Sequence, residues 1–238
     1  MPSFRHLFEL PVISIIDLLS DRFAATACRA KLIGVIRYAI TNRSSFKGDE
    51  SAREAELLRL AVNWGEHGVD FVQLREKDMG TQALTTLARE MVAALGPYTK
   101  LLVNGRVDVA VAARATGVHL TASPFELTAE QVRQVFAHAD AGSPVVSVSC
   151  HTLAEVNRAR AAGADLILFG PVFEKRVGGK AVGEGLGTAM LRKACAGPAG
   201  VLALGGVTAD NAEECLDAGA AGVAGIRLFG CSASRANL

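Results

Sequence analysis

The chain has 238 residues and a mass of 24.9 kDa, which suits one large domain or two small ones. Apolar residues make up 50% of it and charged residues 21%, so a sizeable core is expected and a disordered chain is excluded. Lys and Arg number 25 against 24 for Asp and Glu, and this balance argues against nucleic acid or an anionic membrane surface as a main partner.

Hydropathy and cysteine content narrow the class of protein further. The mean hydropathy is +0.28, yet no run of about 18 uncharged apolar residues occurs, so no transmembrane helix and no membrane partner is expected. The five cysteines are odd in number, far apart and without a C-x-x-C pair. They predict neither a zinc site nor a disulfide framework, and they favour a reducing, cytoplasmic location.

Residues 1–33 differ from the rest of the chain and are treated as an N-terminal extension. The apolar run Val12–Ile16 is bounded by Pro11 and Asp17, which breaks the pattern of a secretory signal. One interpretation is an amphipathic helix over about Val12–Arg29. The other is a poorly ordered extension or an over-long gene start, and the sequence leaves both open.

From Gly34 onward, short β-branched or aliphatic runs alternate with Ala- and Leu-rich segments of helical period. The predicted strands are Val35–Thr41, Phe71–Arg75, Leu101–Asn104, Val118–Leu120, Val145–Ser149, Leu166–Phe169, Val201–Leu204 and Gly222–Ile226. The predicted helices are Ser51–His67, Thr81–Leu95, Val107–Ala115, Thr128–Ala137, Leu153–Ala162, Leu186–Ala194 and Asp210–Asp217. A glycine closes several of the helices before a strand begins, so the units are built alike.

Eight such units over residues 34–229 predict an α/β fold, a (β/α)8 TIM barrel in compact form. The alternative is a doubly wound open sheet, which usually carries a glycine-rich phosphate loop after its first strand. Here the first strand ends in Thr41-Asn42-Arg43, and a glycine pair follows the seventh strand instead. Only Arg227–Leu238 follow the eighth strand, so we expect a short or missing last helix and a C-terminal tail over 230–238.

Polar residues stand where most of the predicted strands end, at the rim where this fold binds ligands. The second strand supplies Gln73 and Arg75, which alternation places on one side, with Lys77 just beyond. The third strand ends at Asn104 and the fifth at Ser149. We predict that these five residues bind the substrate.

Three of these strand-end features have a purely structural alternative. The Arg75-Glu76-Lys77 run is also typical of a solvated, salt-bridged turn. His119 lies inside a strand with apolar neighbours, which favours a histidine of the barrel wall over a catalyst. Cys150 favours a small core residue over a nucleophile.

The loops after strands seven and eight indicate a phosphate site. Gly205 and Gly206 let backbone approach a ligand closely, and Gly225 follows in the eighth strand. Lys180, on the preceding glycine- and lysine-rich loop, is a candidate for a charged contact. These four residues predict a phosphorylated small metabolite as the ligand.

At these positions the chain resembles the thiamine phosphate synthase/TenI superfamily, from about Tyr38 to Phe229. The ordered set of motifs is highly specific, although each motif alone is weak. The matching segments are Phe71–Lys77, Leu102–Asn104, Gly117–Leu120, Ser149–Thr152, Gly163–Phe173 and Ala203–Val207.

The two branches of this superfamily imply different chemistry. The synthase joins a pyrimidine pyrophosphate to a thiazole phosphate, with magnesium held by two acids, whose positions here read Gly105 and Thr121–Pro124. The TenI branch is a thiazole tautomerase, which needs no metal and uses a histidine after the Phe-Gly of strand six. This chain has Pro171 there, as the synthase does.

The resemblance therefore implies a thiamine-biosynthesis protein that binds a thiazole phosphate, and we expect a TenI-like tautomerase without a cofactor. His151, at the end of strand five, is the expected acid/base, with Glu174 as its partner. Arg227 stands where the family often has Ser, and we expect it to add a phosphate contact. The alternatives are a thiamine phosphate synthase, for which magnesium would be needed, and a non-catalytic ligand-binding or regulatory barrel. A homo-oligomer is left open.

Overall fold

The computed structural model describes residues 34–174, 176–177, 180–181 and 183–230, and for the two short segments in the middle it describes the backbone alone. The predictions for the N-terminal extension, residues 1–33, lie outside these residues. The same holds for the tail beyond residue 230. The domain boundaries therefore stay predictions.

Eight parallel strands form a closed barrel, which confirms the predicted fold. They follow chain order around the barrel, and the last strand pairs with the first, with Ile36 beside Gly222. The barrel strands are β1 Ile36–Ile40, β2 Phe71–Leu74, β3 Lys100–Asn104, β4 Gly117–Thr121, β5 Val145–Cys150, β6 Leu166–Phe169, β7 Gly200–Leu204 and β8 Gly222–Gly225.

Seven α-helices are present in the described part of the chain, each after one of the first seven barrel strands. They are α1 Glu50–Glu66, α2 Thr81–Leu95, α3 Val107–Ala112, α4 Ala129–His138, α5 Leu153–Ala161, α6 Gly187–Cys195 and α7 Ala212–Asp217. Side-chain caps fix several starts: Asp49 accepts from the backbone of α1, and Thr128 and Thr152 open α4 and α5 with complete capping boxes. None of these helices is long and apolar enough to cross a membrane.

The core has two layers because successive strand residues face opposite sides. The larger layer lies between the strands and the surrounding helices. The smaller one fills the barrel interior, with Tyr38 and Ile40 from β1 packed against Leu102, Leu168 and Leu202. Ser147 is a polar residue within this layer, beside Leu166, whereas Gln73 and Asn104 lie toward the carboxyl ends of β2 and β3, at the barrel mouth.

Two features depart from the regular repeat. After β8 the described chain continues as a turn, without a helix, to Gly230, in agreement with the expected short or missing last helix. Between β6 and α6, a short antiparallel hairpin pairs Arg176–Val177 with Lys180–Ala181. The sequence predicts a loop there, because strands of two residues are too short to show a period.

Candidate active site

An amide pair from β2 and β3 lies at the barrel mouth. Gln73 is 2% exposed, and its Nε2 donates to Oδ1 of Asn104 at 2.8 Å. The Oε1 atom of Gln73 is buried and accepts no hydrogen bond from any described residue. An unpaired buried amide oxygen costs about 1–3 kcal/mol, so this atom is suited to accept a hydrogen bond from a ligand.

A buried polar network joins β1, β4 and β5, and its His119 lies beside Asn104 on the neighbouring strand. The Tyr38 hydroxyl lies 2.9 Å from Oγ of Ser147, and that oxygen lies 2.8 Å from Nδ1 of His119. Nε2 of His119 lies 2.8 Å from Oγ of Ser149, the predicted binding residue. Burial, and then the positive charge of Arg75, lower the pKa of His119 to about 3. The imidazole is therefore neutral and belongs to the barrel wall, and its link to Ser149 is a contact the sequence does not reveal.

The three charged residues of the Arg75-Glu76-Lys77 run differ in burial and in their partners. Arg75 is half-buried and lies near enough to His119 to shift its pKa, whereas Lys77 is exposed. Glu76 is buried and forms an ion pair with Arg43, 3.0 Å away. The alternative of a salt-bridged turn therefore holds for Glu76, which forms an ion pair. Neither Arg75 nor Lys77 pairs with an acid among the residues described.

His151 lies on the loop after β5 and touches the end of β6. Its ring Nδ1 lies 2.5 Å from the carbonyl oxygen of Gly170, and its backbone N–H donates to Oε2 of Glu155 at 2.6 Å. A carbonyl oxygen can only accept, so Nδ1 carries the proton and Nε2 is the basic nitrogen of the neutral ring. The contact places His151 directly beside Pro171. Glu174 is exposed, farther along the same loop after β6.

The loop that follows β6 packs against Gly205 and Gly206. Both have positive φ, +89° and +66°, and a Cβ on Gly205 would lie 2.6 Å from Cα of Pro171. A Cβ on Gly206 would lie 2.7 Å from that of Phe173. Backbone bonds from Phe173 to Gly205 and from Val172 to Leu204 hold the loop in this position. Close packing of the loop thus explains both glycines, and their predicted contact with phosphate stays a prediction.

The other residues predicted to bind phosphate lie in the hairpin and at or after the end of β8. Gly225 is the last residue of β8, and Arg227 is exposed two positions later. Lys180 begins the second strand of the hairpin. The loops after β6, β7 and β8 all leave from the same end of the barrel, and phosphate binding by these residues stays a prediction.

The residues present do not fit a magnesium ion held in the manner of the synthase branch. Gly105 follows β3, and the Thr121 hydroxyl donates to Glu126 at 3.2 Å beyond β4. The nearest acid after β3, Asp108, is paired with Arg106 at 2.6 Å, which lowers the pKa of its carboxyl. Among the described residues, no group of three His, Cys, Asp or Glu side chains could hold a metal.

A family model described as thiamine monophosphate synthase matches residues 37–229. The chain belongs to this family, and it is an enzyme of thiamine biosynthesis. It is 37% identical over 191 residues to a putative thiamine-phosphate synthase of Geobacter sulfurreducens, covering 79% of this chain and 83% of the relative. It is 34% identical to the thiamine-phosphate synthase of Caldanaerobacter subterraneus, covering 82% and 86%.

A solved structure has the same fold. The thiamine phosphate pyrophosphorylase from Pyrococcus furiosus superposes with a TM-score of 0.67 and 26% identity, covering 84% of this chain and 89% of that one. The names of these relatives favour the synthase over the tautomerase that the sequence alone suggested.

The contact between Arg43 and Glu76 was not predicted from the sequence. Both residues follow barrel strands, β1 and β2, that are neighbours in the sheet. Opposite charges at the ends of adjacent parallel strands are the signal in the sequence that indicates such a pair. The sequence alone connects Glu76 with its neighbours in the turn and not with Arg43.

Proposed function

We propose that the protein is a thiamine-phosphate synthase. The observation that carries the proposal is Pro171, the residue that the synthase branch has at the end of strand six, packed against Gly205 where the tautomerase has a histidine. Proline has no ionisable side chain, so this position moves no proton. The names of the relatives support the same reaction.

In this reaction the bond between the pyrimidine methylene carbon and the pyrophosphate oxygen breaks, and the thiazole nitrogen bonds to that carbon. Gln73, with its unpaired Oε1, is placed to accept a hydrogen bond from the pyrimidine. Arg75 and Lys77 supply positive charge to the departing pyrophosphate. The thiazole phosphate takes the site formed by the loops after β6, β7 and β8.

Thiazole tautomerase is the second candidate, and His151 is the observation that favours it. The bond from Nδ1 to the Gly170 carbonyl leaves Nε2 as a base beside the position of the family histidine. The reaction moves a proton without a metal, which agrees with the absence of carboxylates at Gly105 and Thr121–Pro124. Glu174 would assist His151 from the loop after β6.

One pair of assays separates the candidates. Purified protein is given both synthase substrates with magnesium, and thiamine phosphate and pyrophosphate are measured. In parallel, the thiazole carboxylate phosphate is incubated in deuterated water, and proton exchange is followed by NMR. Condensation without exchange supports the synthase, exchange without condensation supports the tautomerase, and tight binding with neither supports a non-catalytic barrel.

His151→Ala sharpens the distinction. General acid/base help is worth about 10²–10⁴-fold, so this variant should lower tautomerase turnover by that factor and leave condensation nearly unchanged. His138→Ala is the matched control, because His138 is exposed on α4 and its ring bonds a carbonyl of its own helix. Pro171→His should raise exchange if the family geometry is still available. Full exchange in His151→Ala would remove the tautomerase mechanism.

A separate measurement of binding tests for a metal site. Removal of magnesium with EDTA should leave the Kd for thiazole phosphate unchanged, because Gly105 and Thr121–Pro124 provide no carboxylate ligand. A large loss of affinity would reveal a magnesium site elsewhere in the protein.

A further inference from the structure

A buried ion pair joins the loop after β1 to the loop after β2. The side chains of Arg43 and Glu76 are 6% and 3% exposed, and Nη1 lies 3.0 Å from Oε2. Both oxygens of Glu76 also accept from the backbone N–H of Arg43, at 3.2 Å each. Breaking such a pair leaves an uncompensated buried charge, so the two loops are strongly held together.

One hydroxyl connects this ion pair to the backbone of β2. Thr41 is 1% exposed, and its Oγ1 donates to Oε1 of Glu76 at 2.5 Å. The same oxygen accepts from the backbone N–H of Arg75 at 2.9 Å. The Thr41 hydroxyl therefore fixes the Glu76 carboxylate and the main chain of Arg75 at once.

Two further acids form ion pairs with Arg43, but the Thr41 hydroxyl donates to Glu76 and not to them. Asp78 accepts from Nη1 and Nη2 at 2.7 and 3.0 Å, and Glu50 accepts from Nε. Their side chains are 71% and 52% exposed, so water already screens them. Glu50 lies on α1, away from β2, and provides a matched control.

We propose that Thr41, Arg43 and Glu76 are positioning residues that hold Arg75 and Lys77 at the barrel mouth as an anion site for pyrophosphate. The Arg43 ion pair and the Thr41 hydroxyl together fix the Glu76 carboxylate and the main chain of Arg75 directly after β2, and Lys77 follows on the same loop. The inference rests on the proposed synthase reaction, since pyrophosphate is the group that leaves there.

The test compares Thr41→Val, which keeps the shape and removes the hydroxyl, with Thr41→Ser, which keeps the hydroxyl. The Kd for inorganic pyrophosphate is measured by calorimetry, and KM and kcat with the pyrimidine pyrophosphate. Thr41→Val should raise both Kd and KM about tenfold with little change in kcat, as expected for a lost charge-assisted hydrogen bond. Thr41→Ser should stay close to the wild type, and thiazole phosphate affinity should not change in either variant.

Glu76→Gln and Glu50→Gln provide a second, independent comparison. Each removes one carboxylate from Arg43, but only Glu76 is bonded to Thr41. Glu76→Gln should weaken pyrophosphate binding about tenfold, while Glu50→Gln should leave it unchanged. Wild-type affinity in Thr41→Val, or equal losses in the two Gln variants, would overturn the proposal.

The outcome also separates this inference from the synthase reaction. A wild-type protein that binds pyrophosphate but forms no thiamine phosphate contradicts the proposed function, and the variants then still decide the role of Thr41 and Glu76. A wild-type protein that does not bind inorganic pyrophosphate overturns the inference itself.

Discussion

His119 shows how one buried side chain links the barrel interior to the candidate site. It is 3% exposed, and both ring nitrogens lie within hydrogen-bond distance of serine hydroxyls, Ser147 and Ser149. Because burial lowers its pKa to about 3, the ring stays neutral throughout the physiological range. It lies within hydrogen-bond distance of Ser149 and carries no charge there.

This low pKa predicts a dependence of stability on pH. Between pH 3 and 6.5 the unfolded chain binds a proton at His119 that the folded chain does not, so stability is lost as the pH falls through this range. At pH 5 the loss is about 2 kcal/mol. His119→Gln, compared with the wild type by urea unfolding at pH 7 and pH 5, should remove that part of the loss. An unchanged loss in His119→Gln would contradict the neutral, buried state of His119.

Among the secondary-structure elements, the loop after β6 packs closely against the end of β7 at the barrel mouth. Gly205 and Gly206 bring the backbone of residues 171–174 against β7 more closely than any Cβ would allow. Gly206→Asp would displace this loop and would also repel a phosphate, so it cannot separate the two effects. Gly206→Ala adds only a methyl group and therefore tests the packing alone.

Gly206→Ala and Gly142→Ala form a matched pair for that purpose. Both glycines have positive φ, +66° and +78°, but a Cβ on Gly142 would meet nothing within 4 Å. Each should lose about 1 kcal/mol from backbone strain, and Gly206→Ala should lose about 1–3 kcal/mol more from overlap with Phe173. Urea unfolding measures both, and equal losses would mean that the loop can move away from β7.

The bounds of the helices and barrel strands were predictable from sequence to within three residues. Hydrophobic period and glycine at helix ends are local signals, and each unit repeats them. The hairpin of Arg176–Val177 and Lys180–Ala181 was not predictable in the same way, since two residues define no period. The contact of Gly205 with Pro171 joins residues from different units, so no local pattern records it.

Across the whole barrel, the first and last units are joined by a side-chain hydrogen bond as well as by strand pairing. Trp64, the one tryptophan of the chain, is 3% exposed on α1, and its Nε1 donates to the carbonyl oxygen of Phe229 at 2.8 Å. Phe229 lies in the turn after β8. The bond therefore ties the first helix to the chain that closes the barrel, where the described residues include no eighth helix.

Trp64→Phe should lower the free energy of unfolding by about 1–3 kcal/mol, because the Phe229 carbonyl loses its donor. Urea unfolding followed by circular dichroism measures the change, and the transition should stay cooperative. Tyr98→Phe, at a side chain that is 88% exposed, should change nothing. A Trp64→Phe variant as stable as the wild type would mean that strand pairing alone closes the barrel.

The barrel, the order of its units and the strand ends that form the mouth could be predicted from the sequence, because period, turn glycines and alternation are properties of neighbouring residues. The family, and the replacement of two acidic positions by Gly105 and Thr121–Pro124, could be recognised in the same way. The contacts of Glu76 with Arg43 and of His119 with Ser149 became known from the three-dimensional structure. The residues of each pair lie about 30 positions apart in the chain, and the pairing of adjacent parallel strands, β1 with β2 and β4 with β5, brings them within hydrogen-bond distance.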